Sequence, residues 1–237
     1  MKQLFLALVG LICAETAVCQ NNNLNSSANI QENLNSIAKG SAGMTMDNRY
    51  EGVTGTPYLV PRWLAATVTT RQKQVLEAVP LKYDVLGQHL LMRDPLKGDS
   101  MVLDDNAVAS FVLNDLSRVP EKRTFRRFLE APNPAQSREF VEVLHQGKYT
   151  ILKQYNKEIQ KANYKGAYGA DRRSDDIQDR ITYYVLGAGK AAIPTKLNLK
   201  ALQTAAPDLA AALKEEASKR PSRSESDLVA LLQAVDK

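Results

Sequence analysis

The feature that most constrains the fold is a change of hydrophobic period near Pro194. From Tyr58 to about Lys196 the chain consists of short apolar or alternating runs, such as WLAATVTT and LKYDV, separated by turn-forming residues. Runs of this kind, about ten residues apart, are typical of strands in an antiparallel meander. After Pro194, leucines recur at helical spacing. The sequence therefore predicts an α+β fold, with an antiparallel β-meander sheet followed by a C-terminal helical cap.

The clearest local prediction in the sheet is a pair of hairpins. The first joins Glu139–Leu144 to Tyr149–Lys153, and Gly147 is expected to supply the positive φ of its turn. The second joins Ile181–Leu186 to Ala191–Ile193. Both hairpins place strands next to each other that are neighbours along the chain.

Helix signals mark the C-terminal segment. Asn198 is a candidate N-cap, and Ser224 with Asp227 has the spacing of a capping box. The leucines after this box, Leu228, Leu231 and Leu232, predict a buried stripe on the last helix.

The N-terminal segment has the order of a cleavable secretory signal. Lys2 is followed by the uncharged run Leu4–Ala14, and cleavage is expected after Cys19. The run is shorter than the roughly 20 residues that a membrane-spanning helix needs. We therefore predict a periplasmic, secreted or cell-surface protein whose mature chain has no transmembrane helix. The alternative is a protein anchored by lipid through Cys19, although Thr16 and Val18 depart from the residues that a lipidation motif prefers.

Four segments follow from these patterns. They are a signal peptide over 1–19, a flexible polar leader over 20–54, a β-rich domain over 55–196, and a helical segment over 197–237 that packs on it. The leader is rich in Asn, Ser and Gln, which are too polar to form a core. Both cysteines of the chain lie in the predicted signal peptide, so cleavage would remove every thiol.

The charge of the chain does not indicate a nucleic-acid-binding protein. Lys and Arg number 31 against 26 Asp and Glu, which gives a net charge of +5. Nucleic-acid-binding proteins concentrate basic residues on one face. The main basic cluster here, Lys122-Arg123 with Arg126-Arg127, is interpreted as a solvated strand or helix face. We predict no nucleic-acid partner, and contact with an anionic envelope surface would be the functional alternative.

Residues that carry chemistry are sparse. The two histidines, His89 and His145, are isolated, so neither a catalytic residue nor a metal site is predicted, and no cofactor is implied. Ser100 follows Gly98-Asp99, a triplet known from one esterase family, but the rest of that pattern is missing. A non-enzymatic function is therefore favoured, and the alternative is a periplasmic hydrolase that uses Ser100 or carboxylates.

Tyrosines among basic residues are the candidate ligand-binding surface. The candidates are Tyr149, Tyr155, Tyr164 and Tyr168. Exposed tyrosine beside cationic side chains is common where proteins bind glycans or other proteins. The alternative is that these tyrosines only reflect β-propensity.

Three segments resemble a known group of proteins. They are GTPYL at 55–59, PLKYDV at 80–85 and FVEVLHQGK at 140–148. In this order, and with a helical tail, they resemble small secreted proteins of Bacteroidota-type Gram-negative bacteria. The resemblance covers Gly55 to the end of the chain and implies export and a β-then-α layout. The group has no assigned activity, so the resemblance implies no site residues. The expected function is that of an exported envelope module that binds a protein or a glycan.

Overall fold

The computed structural model of the protein is described for most of the predicted β-rich and helical segments. The predicted signal peptide, Cys19, and nearly all of the predicted leader lie outside the described residues. The described ranges are 43–44, 50–94, 98–104, 106–117, 122–162, 174–187, 191–220 and 222–236.

Eleven strands in these ranges form one antiparallel sheet. They are β1 (Gly43–Met44), β2 (Leu64–Thr70), β3 (Val75–Asp84), β4 (His89–Arg93), β5 (Ser100–Val102), β6 (Val108–Asn114), β7 (Lys122–Arg127), β8 (Phe140–Gln146), β9 (Tyr149–Gln160), β10 (Asp176–Gly187) and β11 (Ile193–Thr195). Their order across the sheet is β1-β5-β4-β3-β2-β6-β7-β8-β9-β10-β11. Most neighbours in the sheet are thus consecutive in the chain, which confirms the predicted meander.

Three α-helices follow the sheet and confirm the predicted C-terminal cap. They are α1 (Leu199–Ala205), α2 (Ala210–Lys219) and α3 (Glu225–Val235). The Asn198 side chain accepts from the Ala201 N–H at 2.9 Å, and the Ser224–Asp227 capping box is formed as predicted. Within the described ranges no helix has both the length and the apolar character that spanning a membrane requires.

The predicted hairpins form as β8–β9 and β10–β11, but Gly147 serves a different purpose from the predicted one. Its φ is not positive, so conformational freedom is not the reason for glycine there. A Cβ at this position would lie 2.6 Å from Oδ2 of Asp236, which follows α3. Glycine is therefore required because the end of the last helix packs directly against the turn.

The sheet curls so that β3 faces β6, β7 and β8. The ring of Tyr83, near the end of β3, lies 5.9 Å from Phe111, 6.3 Å from Phe125 and 6.0 Å from Phe140, measured between centroids. These rings form the centre of the larger core. Since three strands separate β3 from β8 in the sheet, the contacts require strong curvature.

Residues 54–59 connect the two ends of the curled region. The Leu59 N–H donates to the Tyr83 carbonyl on β3 at 2.9 Å, and the Ile177 N–H on β10 donates to the Thr54 carbonyl at 2.9 Å. This short segment therefore bridges strands that are far apart in the order of the sheet, and it gives the sheet a concave inner face.

The helices pack on the same inner face. Ile151 and Val185, which are paired residues of β9 and β10, contact Leu202, Leu228 and other leucines of the helices in a second core. A third, smaller core surrounds Phe128 and Tyr184. It contains residues such as Leu152, which alternate along the strand with inner-facing residues and therefore lie on the opposite face of the sheet. The inner face thus carries two apolar cores, and the side chains between them form the candidate site.

Candidate functional site

A row of paired residues places polar side chains between the two inner-face cores. Glu142 of β8 is opposite Phe125 of β7 and Lys153 of β9, and Lys153 is opposite Tyr183 of β10. Directly paired residues point to the same face of a sheet, as do residues two apart along a strand. We define the Arg123 network as Arg123, Glu142, Lys153, Tyr155, Tyr183 and Glu225, the last from α3.

Arg123 and Glu142 form a buried bidentate ion pair. The Nε–Oε1 distance is 2.8 Å and the Nη2–Oε2 distance is 2.9 Å. Their side chains are 2% and 8% exposed. The Tyr155 hydroxyl accepts from Arg123 Nη2 at 2.9 Å and donates to Glu142 Oε2 at 2.5 Å. This geometry is among the strongest that a carboxylate can have in a protein.

A second ion pair joins the sheet to the last helix. Lys153 Nζ donates to Glu225 Oε2 at 2.7 Å, and the Tyr183 hydroxyl donates to the same oxygen at 2.5 Å. Glu225 begins α3 directly after its cap, where a negative charge meets the positive end of the helix dipole. The Lys153 ammonium also lies 5.0 Å from the centroid of the Tyr155 ring. The ammonium of Lys153 therefore contacts both halves of the network.

The surroundings keep Glu142 ionised. Burial by itself would raise the pKa of Glu142, but the hydrogen bonds and charge of Arg123 outweigh burial and hold this pKa below its usual value. The pKa of Tyr155 is strongly raised, first by burial and then by the charge of Glu142, so its hydroxyl stays protonated. Glu142 is thus a fixed negative charge that accepts hydrogen bonds.

One donor of the network has no partner. Among the described residues, Nη1 of Arg123 is the buried side-chain nitrogen or oxygen for which no hydrogen-bond partner is found. Buried polar groups in native proteins almost always have partners, and leaving one unmatched costs roughly 1–3 kcal/mol. The guanidinium of Arg123 lies over two aromatic rings of the inner face, with Cζ 5.2 Å from the centroid of Phe125 and 5.5 Å from that of Tyr155.

A cleft lies beside Arg123, between β7–β8 and α3, with a volume of about 350 Å³. We call it the α3 cleft. Its β7–β8 wall and its α3 wall both combine polar or charged residues with apolar ones. The lining residues are Lys122, Arg123, Thr124, Glu142, Val143, Leu144, Glu225, Ser226, Val229, Ala230 and Gln233. Arg123 also borders a smaller cleft of about 100 Å³ next to β9 and β10.

The end of α3 is held to the β8–β9 hairpin by His145. Its Nε2 lies 2.9 Å from Oδ2 of Asp236, and the two side chains are 5% and 2% exposed. Asp236 also accepts from the backbone N–H groups of Lys148 and Tyr149 at 3.2 and 2.9 Å. The sequence predicts that His145 is an isolated residue in the turn of the first hairpin. It lies instead on β8, and it is partnered by an acid 91 positions away in the chain.

The predicted tyrosine surface is divided in the structure. Tyr155 belongs to the buried network, and Tyr149 is half-buried and donates to Asp208. Tyr164 and Tyr168 lie outside the described residues. Tyr183, which was not among the four candidates, joins Tyr155 in the network. The structure thus brings together one candidate tyrosine and one that sequence reasoning missed.

The predicted solvated face over Lys122–Arg127 is wrong for two of its arginines. Arg123 is 3% exposed and Arg127 is 7% exposed. Arg127 donates to the Val108 carbonyl, and its guanidinium lies 3.7 Å from the centroid of the Phe140 ring. Each arginine lies two positions from Phe125 along β7, so both are on the face of the strand that meets the core.

Neither a search for metal-binding clusters nor comparison with known proteins assigns a function to the site. In the part of the chain that the structure describes, no three His, Cys, Asp or Glu residues are grouped so that they could hold a metal ion. No family model, curated protein or solved structure matches the chain. The resemblance to secreted Bacteroidota-type proteins therefore stays a prediction.

Proposed function

We propose that the protein is an exported, non-enzymatic envelope module that binds a protein or a glycan in the α3 cleft. The observation that carries the proposal is the α3 cleft, which has a volume of about 350 Å³ and lies beside the buried Arg123–Glu142 ion pair. Sites for small ligands combine apolar lining residues with a few polar groups, and the α3 cleft is lined by both kinds. The resemblance of the chain to secreted proteins is consistent with this function.

The state of Glu142 favours binding over catalysis. A general acid needs a raised pKa so that it carries a proton near neutral pH. The pKa of Glu142 is lowered instead, and both of its oxygens already accept hydrogen bonds from Arg123. Such a carboxylate positions other groups and is poorly suited to transfer a proton.

One observation supports the alternative, a hydrolase. Glu142 and Glu225 both line the α3 cleft, and paired carboxylates are the usual machinery of glycoside hydrolysis. Ser100 does not join them, because it lies on β5 opposite Arg93, at the far end of β4 from His89. A carboxylate-based hydrolase is therefore the second candidate, and Ser100 is not part of it.

Capture from the envelope of the producing cells tests the binding function. Ala230→Phe would fill the α3 cleft with a ring, whereas Ala212→Phe adds the same ring to an exposed position of α2. We expect one identified protein or glycan to be recovered with the wild type and with Ala212→Phe but not with Ala230→Phe. Recovery that is equal for all three proteins would contradict the proposed site.

The same proteins distinguish the hydrolase. If the captured molecule is a glycan and the wild type cleaves it while Glu142→Gln or Glu225→Gln does not, the function is catalytic. The intact mass of the exported protein tests the location separately. A mass equal to that of a chain beginning at Gln20 supports cleavage of a signal peptide. A mass equal to that of a chain beginning at a lipid-modified Cys19 supports the anchored alternative.

A further inference from the structure

The pairing between β7 and β8 stops part-way along both strands. The last paired residues are Phe125 and Glu142, although β7 begins three residues earlier and β8 continues beyond Glu142. Within the described ranges, Lys122–Thr124 and Val143–Gln146 are therefore not paired with each other. Each stretch keeps its neighbour on the other side, which is β6 for the first and β9 for the second. The sheet is thus split here, and each strand end has one open edge.

A β-bulge explains the split. The register between β8 and β9 shifts between Val143 and His145, which leaves Leu144 as an extra residue on β8. A bulge bends its strand and increases the local twist, so β8 turns away from β7 after Glu142. The buried ion pair of Arg123 joins the two strands at the closed end of the split. At the open end, the bond from His145 to the end of the helical cap holds β8 in its separated position.

The split opens into a continuous groove. A second cleft, with a volume of about 460 Å³, adjoins the α3 cleft and reaches Gln146 at the end of β8. The residues that line both clefts are Thr124, Val143, Leu144 and Gln233. The two clefts therefore form one groove that follows the open strand ends.

The open edge of β7 calls for a partner that has a peptide backbone. The edge of a strand presents N–H and C=O groups in alternation, and a second strand matches both kinds of group. The register of Lys122–Thr124 with β6 is regular, and the side chains of Lys122 and Thr124 are exposed. A sugar does not carry donors and acceptors at the regular spacing of this edge.

Only a single extended chain can lie between the two strands. The groove is bordered by β8 on the side away from β7 and by α3 on the inner side. The edge strand of a folded sheet, including that of a second copy of this protein, carries neighbours that would collide with these walls. On the α3 wall, half-buried Val229 and Ala230 lie between exposed Ser226 and Gln233, at helical spacing. Small or apolar side chains of the bound segment would face the middle of this wall.

We propose that an extended segment of a partner protein binds in this groove and pairs as a strand with Lys122–Thr124, in the place that β8 leaves. This inference rests on the proposed binding function and narrows its ligand from a protein or a glycan to a polypeptide. Main-chain hydrogen bonds provide affinity in this mode of recognition, and the pockets for alternate side chains provide specificity.

Selection from a displayed library of random linear peptides, each about ten residues long, tests the inference. The bait is the protein purified as its own cells export it. Selected peptides are synthesised, and further versions carry a methyl group on one backbone nitrogen at a time, which removes that N–H. The variants are Ala230→Phe and Gln233→Trp, which fill the groove, and Ala212→Phe on α2 is the control. Thermal unfolding shows that each variant is folded, and replacing the exposed Gln233 leaves the cores intact.

We expect the selected peptides to bind the wild type and Ala212→Phe equally, and both groove variants at least about tenfold more weakly. Methylation should weaken binding at alternate residues of the peptide, because successive N–H groups of a strand point to opposite sides. Amide hydrogen exchange within Lys122–Thr124 should become slower in the complex.

Peptide binding that is weaker in both groove variants but insensitive to methylation would overturn strand pairing and leave the binding function standing. Peptides that bind the groove variants as tightly as the wild type would also overturn the inference. The inference fails as well if no peptide is selected. The proposed function then still stands if capture recovers a cleft-dependent protein or glycan, and both proposals fail if it does not.

Discussion

Arg123 and Glu142 are both almost completely removed from water, and each provides the charge that makes the burial of the other tolerable. Their side chains come from neighbouring strands and are separated by 19 positions in the chain. Removing one partner of a buried pair leaves a charge that neither water nor protein neutralises. Exchanging both for apolar residues removes the desolvation cost as well as the attraction.

The first prediction concerns this pair. Glu142→Leu should lower the free energy of unfolding by about 3–5 kcal/mol, because it leaves Arg123 buried and unpaired. The double variant Arg123→Met/Glu142→Leu should recover most of that loss. Urea unfolding of the wild type, both single variants and the double variant measures the coupling. A single variant that costs less than about 1 kcal/mol would show that Arg123 reaches water and is not a buried donor.

The second prediction concerns Gly147. A methyl group there would meet Asp236 Oδ2 at 2.6 Å and Cγ at 2.9 Å. Gly147→Ala should therefore lower the free energy of unfolding by about 1–3 kcal/mol, the range usual for overpacking. The substitution should cost less in an Asp236→Ala background, because the two closest atoms are gone and only His145 Nε2, at 3.0 Å, remains nearby. Equal costs in both backgrounds, measured by urea unfolding, would mean that the turn itself and not Asp236 requires glycine.

At the scale of elements, the cap of α3 controls the geometry of the cleft. Ser224 accepts from the Asp227 N–H, and Asp227 accepts in return from the Ser224 N–H. Glu225 directly follows the N-cap residue Ser224 and also lines the α3 cleft. The position of the Lys153–Glu225 ion pair therefore depends on how the helix begins.

The third prediction follows from this cap. Ser224→Ala should lower the free energy of unfolding by about 1 kcal/mol, as is usual for loss of an N-cap. Ser218→Ala, at an exposed position in the last turn of α2, is the matched control and should change stability by less than about 0.5 kcal/mol. Amide hydrogen exchange should be faster in the first turn of α3 only in Ser224→Ala. Unchanged exchange there would contradict the role of the cap.

Local patterns predicted the elements well but not their distant partners. The run WLAATVTT identified β2, alternation in LKYDV identified the end of β3, and the spacing of Ser224 and Asp227 identified the start of α3. That β2 and β6 are neighbours depends on which strands meet after the chain reverses, and alternation carries no such information. The link between His145 and Asp236, or between residues 54–59 and β10, is equally invisible to local periodicity.

One feature of the sequence does predict that Arg123 and Arg127 are buried. In KRTFRR, Arg123 and Arg127 have the same parity as Phe125, so a strand with Phe125 in the core must bury both arginines. The cluster was instead interpreted as solvated, because charged residues are exposed in most proteins. An arginine in phase with core aromatics predicts an acidic partner, although only the sheet register shows that this partner is Glu142.

For the molecule as a whole, several acids with lowered pKa values couple stability to pH. Among the described residues, the acids with lowered pKa values include Glu142 and Asp208. Hydrogen bonds and charge from Arg123 lower the pKa of Glu142, and hydrogen bonds from Lys148 and Tyr149 lower the pKa of Asp208 to about 2. A group with a lowered folded pKa stabilises the folded state above its ordinary pKa and loses that effect as pH falls through the folded value. Glu139 acts in the opposite direction, because burial raises its pKa.

The fourth prediction is therefore a loss of stability in acid. The free energy of unfolding should fall as pH decreases below the ordinary glutamate value of 4.5, and it should continue to fall towards the Asp208 value of about 2. Urea unfolding at a series of pH values measures this dependence. The double variant Arg123→Met/Glu142→Leu should show a shallower slope, because the Glu142 contribution is absent. An identical slope in both proteins would contradict the lowered pKa of Glu142.

The most direct test of ligand binding in the α3 cleft is photo-crosslinking inside the producing cells. A photoreactive amino acid is placed at Gln233, an exposed residue of the cleft lining, or at Ala212, an exposed residue of α2. We predict a crosslinked product of defined mass from position 233 and none from position 212. The same product from both positions, or a product from position 212 alone, would contradict the assignment of the α3 cleft as the binding site.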